Sequence, residues 1–425
     1  MKKILHKILA ILAKTILKKY QPKVVGITGS IGKTSAKEAV YAVLKTSFNV
    51  RKNIKNYNTE VGVPLTVIGT ESAGRNLVKW LGVFIKALML IILKNKKYPE
   101  ILVLEMGADK PGDIEYLTKL APCHVGVLTK IGPSHLEAFK TIDNVSKEKS
   151  KIVKHLDKTG FAILNFDDER VKKFAEKTEA KVISFGYDEE ASVRALDFEQ
   201  QGEGIHISGI QFKIQYEGST VPVMVPNVIG LHQIYSALVA ASVGLAFNMN
   251  LIQVAEGLKN YKSPKGRMYL VAGANNTLII DDTYNSSPDA AKAALKALEK
   301  LEIGDVKRKV AILGDMLELG DYSEEAHIEL GRKAYEAGVI LLVCVGKNRE
   351  LIAKGAKKAG LNENNVIEFE DSKLAREKIQ ELIEQNDLIL IKGSQGARME
   401  RVVKVLMKEP ERAKELLIRQ TKEWV

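Results

Sequence analysis

The sequence predicts an α/β protein built on parallel sheets with crossover helices, a small antiparallel subsheet in its middle, and a second strand–helix series behind it. Three observations carry this. Short apolar runs alternate with helix-compatible segments along most of the chain. From about Ala191 to Val225 the pattern breaks into short alternating pieces with glycines, such as Gly204-Ile205-His206-Ile207-Ser208-Gly209. After the linker-like Tyr261-Lys262-Ser263-Pro264-Lys265-Gly266, the strand–helix alternation resumes.

In order, residues 1–22 predict a basic amphipathic helix. Val24–Thr28 predicts a strand, Ser35 to about Thr46 a helix, and Leu77–Leu93 an apolar helix inside an insertion of about residues 75–97. Buried strands are expected at Ile101–Leu104, Val125–Leu128, Phe161–Leu164 and Lys181–Ser184, and one helical stretch at Leu238–Gly257. The second series places strands near Leu278–Ile280, Val310–Leu313, Ile340–Val345, Val366–Phe369 and Leu388–Ile391. The expected domains are 1–22, a central domain at 23–264, and a C-terminal domain at 265–425.

An apolar content of 45% with 27% charged residues is that of an ordinary folded protein, and 425 residues suggest two to three domains. Cys123 and Cys344 lie far apart among apolar residues, which suggests reduced thiols and a cytoplasmic protein and excludes a zinc ribbon. No small-residue cleavage site follows the N-terminal apolar stretch, so no cleaved secretion signal is expected.

The net charge of +12 is unevenly placed: residues 1–55 hold thirteen Lys/Arg and one acid, Glu38, and the remainder is neutral on balance. No aromatic-interleaved basic stripe accompanies it, so no nucleic-acid partner is expected, and an anionic membrane surface is the preferred one. In residues 1–20, Ile4, Leu5, Ile8, Leu9, Ile11, Leu12 and Ile16 share one half of a helical wheel and Lys2, Lys3, Lys7, Lys14 and Lys18 the other. Leu77–Leu93 is apolar nearly all round apart from Lys79 and Lys86, and is slightly short for a spanning helix. Peripheral membrane contact through residues 1–20 and 77–93, and packing of both stretches onto protein, stand as alternatives.

The chemistry centres on Gly26-Ile27-Thr28-Gly29-Ser30-Ile31-Gly32-Lys33-Thr34-Ser35, an apolar run ending in a glycine turn before a helix. Such a turn aims backbone N–H groups and a helix N-terminus at a polyphosphate. Lys33 can reach the β/γ phosphates and the Thr34 hydroxyl can ligate Mg²⁺. Position 27 is Ile where the strict Walker pattern has Gly, so the match is to the shorter Gly-x-x-Gly-Lys-Thr form; a chance surface turn is the competing reading. Glu105 ends the 101–104 run, where a carboxylate suits Mg²⁺ or is merely solvated. His135 lies in a loop beyond 125–128, and Lys149 lies in Ser146-Lys147-Glu148-Lys149-Ser150-Lys151, which alone reads as a solvated helix face.

Together these residues resemble the Mur ligases, ATP-dependent amide-forming enzymes of peptidoglycan precursor synthesis. The resemblance runs from about Lys23 to the C-terminus. Besides the glycine loop it rests on Asn56-Tyr-Asn58-Thr59-Glu60-Val-Gly62-Val-Pro64, Leu104-Glu105-Met-Gly107, Ile131-Gly-Pro-Ser-His135-Leu-Glu137 and Leu164-Asn165-Phe-Asp167-Asp168. It continues through Gly266-Arg267, Asp281-Asp282-Thr-Tyr284-Asn285-Ser-Ser-Pro288, Leu313-Gly314-Asp315-Met-Leu-Glu318-Leu-Gly320 and Lys392-Gly393-Ser394, the last three favouring the branch that adds D-Ala-D-Ala.

The resemblance implies a P-loop-type central domain with a small antiparallel subsheet and a Rossmann-like C-terminal domain. It implies ATP held by Gly29, Ser30, Gly32, Lys33, Thr34, Ser35, Asn165, Arg267 and Asp282, and two Mg²⁺ ions. The metal ligands would be Thr34, Glu105, His135 and Lys149, the last as a carbamate; Lys33, His135 and Lys149 would be catalytic. Asn58 and Thr59 would lie near the acceptor, and Tyr284, Asn285, Asp315, Glu318 and Lys392 would serve the substrate side of the C-terminal domain. The substrates implied are a UDP-N-acetylmuramoyl-tripeptide and D-Ala-D-Ala, joined through an acyl phosphate by a monomer.

The sequence departs from the pattern in three places. The glycine loop begins near residue 24, so the N-terminal uridine-nucleotide domain of typical members is expected to be missing. His232-Gln233-Ile234-Tyr235-Ser236 stands where His-Asn-x-x-Asn is frequent, and Lys130 replaces an asparagine. A folylpolyglutamate synthase-like ligase with another, even lipid-linked, acceptor is the runner-up; Gly32-Lys33-Thr34-Ser35 and the Asp-Asp-x-Tyr-Asn motif argue against it. A non-catalytic membrane scaffold is third, and intact Lys33, Glu105, His135 and Lys149 argue against that.

Overall fold

The structure is a computed structural model and describes residues 2–54, 57–74, 76–203, 206–230, 232–301, 306–421 and 424. Asn56 of the sequence motif, and Gly204 and Ile205 of the glycine-rich stretch, lie outside the described residues. The chain forms two compact units, Met1–Asp197 with Phe212–Met224 and Ile234–Tyr261, and Phe198–Gln211 with Val225–Gln233 and Lys262–Val425. The units divide at Tyr261/Lys262, α1 belongs to the first unit and forms no domain of its own, and two short segments upstream belong to the second unit. Their local reason is side-chain bonding: Gln200 Nε2 donates to the carbonyls of Gly209 (2.6 Å) and Val228 (3.1 Å), and Ile207 packs on the core of the second unit.

The first sheet has nine strands. They are β1 (Lys23–Thr28), β2 (Val50–Lys52), β3 (Ile101–Glu105), β4 (Val125–Leu128), β5 (Phe161–Asn165), β6 (Lys181–Gly186), β7 (Val193–Glu203), β8 (His206–Tyr216) and β9 (Ser219–Pro226), in the order β2-β3-β1-β4-β5-β6-β7-β8-β9. β1 to β6 pair in parallel, and a short parallel β6–β7 pairing joins the glycine-rich strands to the same sheet. β3 and β4 are buried along their whole length, as continuous apolar runs between two helix layers must be.

The second sheet contains β10 (Tyr269–Ala272), β11 (Leu278–Asp282), β12 (Arg308–Gly314), β13 (Val339–Val345), β14 (Val366–Phe369) and β15 (Asp387–Lys392), ordered β10-β11-β15-β12-β13-β14. All neighbours are parallel except β10 and β11. The expected single helix at Leu238–Gly257 is two, His232–Ala246 and Leu251–Leu258. Asn248 takes a left-handed conformation (φ 61°), and Asn250 with Gln253 forms a reciprocal capping box that starts the second helix.

The N-terminal helix α1 (Lys2–Tyr20) divides its apolar half in two. Leu9, Ala13 and Ile16 are fully buried in the core of the first unit, while Ile4, Ile8 and Ile11 are exposed. α1 packs on two further helices, α3 (Gly62–Ile68) and α4 (Leu77–Ile92), the helix α2 (Lys33–Leu44) following β1. Lys19 Nζ donates to the Leu90, Ile91 and Leu93 carbonyls at 3.0, 2.8 and 2.8 Å, and Tyr20 Oη donates to those of Leu90 and Leu93 at 3.0 Å. These are the last carbonyls of α4, where a cation also meets the negative end of the helix dipole. Tyr20 stacks on Tyr98 at 4.1 Å between centroids. Packing onto protein is thus realised for one face of each helix.

Two predictions follow from this packing. Leu9→Ala opens a cavity beneath α1 and should cost about 2–5 kcal/mol in denaturant unfolding; a change within error would mean α1 does not help hold the unit together. In the second unit, Asp281 is fully buried, Thr283 donates to its Oδ1 from N (3.1 Å) and Oγ1 (2.6 Å), and its Oδ2 has no partner among the described residues. Burial pushes its carboxyl up to about 7. Between the ordinary value of about 4 and that value the unfolded chain is ionised and the folded one is not, so stability falls as pH rises through that window. Asp281→Asn should therefore raise Tm more at about pH 8 than at about pH 5; an equal effect at both would refute the neutral buried acid.

Candidate active site

The site of the first unit is set by strand register. Ile27 pairs with Glu105, Thr28 with Leu128 and Leu128 with Leu164, so the C-terminal ends of β3, β1, β4 and β5 lie side by side. Ligands of open parallel sheets bind at such an edge. The loop Gly29–Gly32 leaves β1 there and enters α2. Gly29 has φ 148° and Gly32 φ 85°, and a Cβ on Gly29 would lie 2.0 Å from Thr129 Oγ1. The loop is tied down by Ser30 N to the Lys130 carbonyl (2.6 Å), Ser30 Oγ to that of Gly132 (2.9 Å) and Thr129 Oγ1 to that of Ile31 (2.6 Å). Lys33 Nζ donates to the Gly29 carbonyl at 2.8 Å, which holds the ammonium over the loop, and Thr34 and Ser35 occupy the first turn of α2.

Glu105 is buried at the end of β3. Asn53 brackets its backbone, accepting from Glu105 N (3.0 Å) and donating to the Glu105 carbonyl (3.1 Å). Asn58 Nδ2 donates to Glu105 Oε1 at 3.3 Å, and the Asn58 carbonyl accepts from Gly107 N at 2.8 Å. Thr59 follows at the approach to α3, its carbonyl accepting from Val63 N at 3.1 Å. Lys37, one turn beyond Lys33, is buried with Nζ 3.7 Å from Glu105 Oε2 and 3.4 Å from Glu38 Oε1. Sequence reasoning missed Lys37; its i+4 spacing from Lys33 on the buried side of α2 was the available signal.

His135 has φ 51° and stands ahead of the short helix Leu136–Phe139, with Nε2 3.8 Å from Asp109 Oδ1. Lys149 ends the helix Ile142–Lys149 and is 2% exposed. Its segment is not a solvated face: Ser146, Glu148 and Lys149 are buried, and Glu148 Oε1 accepts from Ile114 N at 2.8 Å. Burial, with the Lys33 charge nearby, pushes the Lys149 ammonium down to about 7, while Asp109 and Glu148 act in the opposite direction. Lys33, Lys149, Asp109 and His135 thus belong to one electrostatic neighbourhood, and Asp109 is a second acid that the sequence reading passed over. Asn165 ends β5, its Oδ1 accepting from Asp167 N at 3.0 Å.

Among the described residues no group of three or more His, Cys, Asp or Glu could hold a metal by itself. One buried carboxylate, a hydroxyl and a histidine beside a phosphate loop fit Mg²⁺ all the same, because Mg²⁺ keeps several waters and is completed by substrate phosphates.

The second unit has its own constellation at the ends of β11, β15 and β12, where Asp282 pairs with Lys392 and Lys392 with Leu313. Lys392 Nζ lies 2.6 Å from Asp282 Oδ2 and donates to the Asn285 carbonyl at 3.0 Å. His232 is half-buried near this pair, and desolvation pushes its imidazole down to about 4. The Arg267 guanidinium lies 4.0 Å over the Tyr284 ring, and its Nε is buried without a hydrogen-bond partner among the described residues. Asp315 accepts from the backbone N–H groups of Lys347 (3.0 Å) and Asn348 (2.9 Å), so its carboxylate fixes a turn. Glu318 adopts φ 63° in the loop after β12.

Known proteins resemble the chain in both units. Residues 85–244 match the Mur ligase middle domain, and residues 266–395 match the Mur ligase, glutamate ligase domain. The chain is 30% identical over 399 residues to the UDP-N-acetylmuramoyl-tripeptide–D-alanyl-D-alanine ligase of Bacillus subtilis, covering 94% of this chain and 79% of that protein. Its fold superposes on MurF ligase from Thermotoga maritima in complex with ADP with a TM-score of 0.77 at 28% identity, covering 96% of this chain and 84% of the other. A folylpolyglutamate synthase of Mycobacterium tuberculosis shares the fold at a TM-score of 0.64 and 17% identity, covering 92% and 93% of the two chains. The chain belongs to the Mur ligase family.

Proposed function

We propose that this protein is an ATP-dependent amide-bond-forming ligase that joins D-Ala-D-Ala to the terminal carboxylate of a UDP-N-acetylmuramoyl-tripeptide in peptidoglycan precursor synthesis. The observation that carries the reading is the phosphate loop with Lys33 at its mouth, on the same sheet edge as buried Glu105, in a chain 30% identical to a ligase of that name.

The acceptor carboxylate oxygen attacks the γ-phosphorus of ATP. The bond to the bridging oxygen breaks, and ADP leaves from an acyl phosphate. The free amine of D-Ala-D-Ala then attacks the acyl carbon, the tetrahedral intermediate expels phosphate, and the amine loses its proton. Two anions meet in the first step, so cationic charge at the transferring group lowers the barrier. Lys33, with the N–H groups at the start of α2, supplies fixed positive charge there. Mg²⁺, when bound, adds charge stabilisation at the phosphates, and Thr34, Glu105 and His135 are the residues we assign to it.

Lys149 is assigned as a carbamate. Its amine is buried beside a second lysine and held near neutrality, which leaves a lone pair to take up CO₂ and become a carboxylate-like ligand. Asn165, Arg267 and Asp282 are assigned to ATP. Asn58 and Thr59 are assigned to the acceptor, and Tyr284, Asn285, Asp315, Glu318 and Lys392 to the substrate side of the second unit. We assign the protein as a monomer.

The test is ATP-dependent phosphate release with Mg²⁺, D-Ala-D-Ala and UDP-N-acetylmuramoyl-tripeptide. Turnover should require all of them, and Lys33→Ala should lower it by about 10²–10³-fold with the fold retained. No turnover with the wild type would remove the substrate assignment, and full activity in the variant would remove Lys33 from the site. Lys149→Ala should be inactive and partly recovered by short carboxylates, and the wild type should lose activity when bicarbonate is stripped. An inactive variant without rescue, together with indifference to bicarbonate, would exclude the carbamate.

A further inference from the structure

α4 is anchored by one narrow face only. Trp80, Val83, Ala87 and Leu90 are buried, at helical spacing. Phe84 and Ile91 are half-buried beside them, and the remaining apolar surface faces solvent: Leu77 is 82% exposed and Ile92 74%, with Val78, Leu81, Ile85, Leu88 and Met89 exposed between them. α1, packed against it in the same unit, adds exposed Ile4, Ile8 and Ile11. Scattered apolar residues on a surface need no explanation, but a contiguous helix face of this kind does.

The charges carried by these helices and by the residues just after α4 have one sign; an acid from outside them, Glu60, lies 3.8 Å from His6. Residues 2–20 hold six lysines and no acid, and residues 77–97 hold five lysines and no acid. Lys7, Lys14 and Lys18 on α1 are exposed, as are Lys79, Lys86, Lys94, Lys96 and Lys97 on and after α4. On α1, Ile4, Ile8 and Ile11 form one exposed strip, with Lys7, Lys14 and Lys18 alongside it on the wheel. An apolar strip edged by lysines is the pattern of a helix seated in the headgroup layer of an anionic bilayer.

We propose that α1 and α4 form a platform that seats this protein in the interface of an anionic lipid bilayer, with the helices in the membrane plane. This goes beyond the ligase reading and does not rest on it. Spanning is excluded for this platform: α4, at 16 residues, is about 24 Å long against a hydrocarbon core of about 30 Å, and among the described residues no helix is long and apolar enough to cross a membrane. A second copy of the chain fits the surface poorly, because pairing two such faces would bring together lysine-edged helices that carry no acid of their own. Lipid phosphates supply the complementary charge, and acyl chains the apolar surface.

The experiment is flotation of the full chain with vesicles of phosphatidylcholine alone and with vesicles in which roughly a third of the lipid is phosphatidylglycerol. The chain should float with the anionic vesicles, less as salt rises, and stay behind with the neutral ones. Exchanging three exposed lysines, Lys7→Gln, Lys14→Gln and Lys18→Gln, should lower partition about a hundredfold. The set Leu81→Gln, Ile85→Gln and Leu88→Gln, which touches only solvent-facing positions, should abolish flotation and leave ATP turnover with soluble substrates unchanged. No flotation on anionic vesicles, or flotation unaffected by the apolar set, overturns the platform. So does a chain that sediments as a dimer, ignores vesicles and is made monomeric by the same set, since the face would then belong to a second copy.

Discussion

The glycine loop after β1 depends on one close approach. Gly29 lies against Thr129, where a Cβ would come within 2.0 Å of the threonine hydroxyl, and that hydroxyl in turn donates to the Ile31 carbonyl. Only a residue without a side chain lets the loop after β1 fold down onto the loop after β4. The bonds from Ser30 to Lys130 and Gly132 then fix the loop's height above the sheet. This contact sets where the N–H groups of the loop and Lys33 point.

The first unit pairs its charges in compensated sets, some buried and some half-exposed. Lys37 sits among Glu38 and Glu105, and Lys151 reaches both Glu115 (3.0 Å) and Glu148 (2.9 Å). Lys149 is the exception, since its nearest influences include a second lysine, and its ammonium is pushed down rather than stabilised. Isolated buried ammonium groups are expensive, so a lysine kept in that setting is better placed as an amine than as a cation. The second unit repeats the theme in a different key: Asp282 and Lys392 neutralise each other, while burial pushes the His232 imidazole down and the Asp281 carboxyl up.

Much of the fold was legible. Apolar runs of four to six residues become the buried strands β1, β3, β4 and β5, and the glycine loop sits where a strand must hand over to a helix. The second strand series was equally plain from Leu278 onward, but β10, a short antiparallel edge strand with only half-buried residues at its start, was missed. Other features depend on partners distant in sequence. Lys37 looks like a surface charge until β3 is laid beside β1, Asp109 stays exposed and is brought within 3.8 Å of His135 only by the fold, and Ser146–Lys149 looks solvated until Ile114 donates to Glu148. The break at Phe247–Asn250 was encoded locally, in Asn250 and Gln253, but an apolar pattern running through it hid the cap.

The sequence by itself determined the strand order in the chain, the phosphate loop and the amphipathic character of α1 and α4, because these follow from local spacing and from residue types that no other backbone geometry suits. Tertiary structure decided which side of each amphipathic helix is spent. Leu9, Ala13 and Ile16 go into the core, Ile4, Ile8 and Ile11 stay outside, and α4 commits only Trp80, Val83, Ala87 and Leu90. A helical wheel reports that a face is apolar, but the surface it meets depends on the helices that approach it, and those come from elsewhere in the chain.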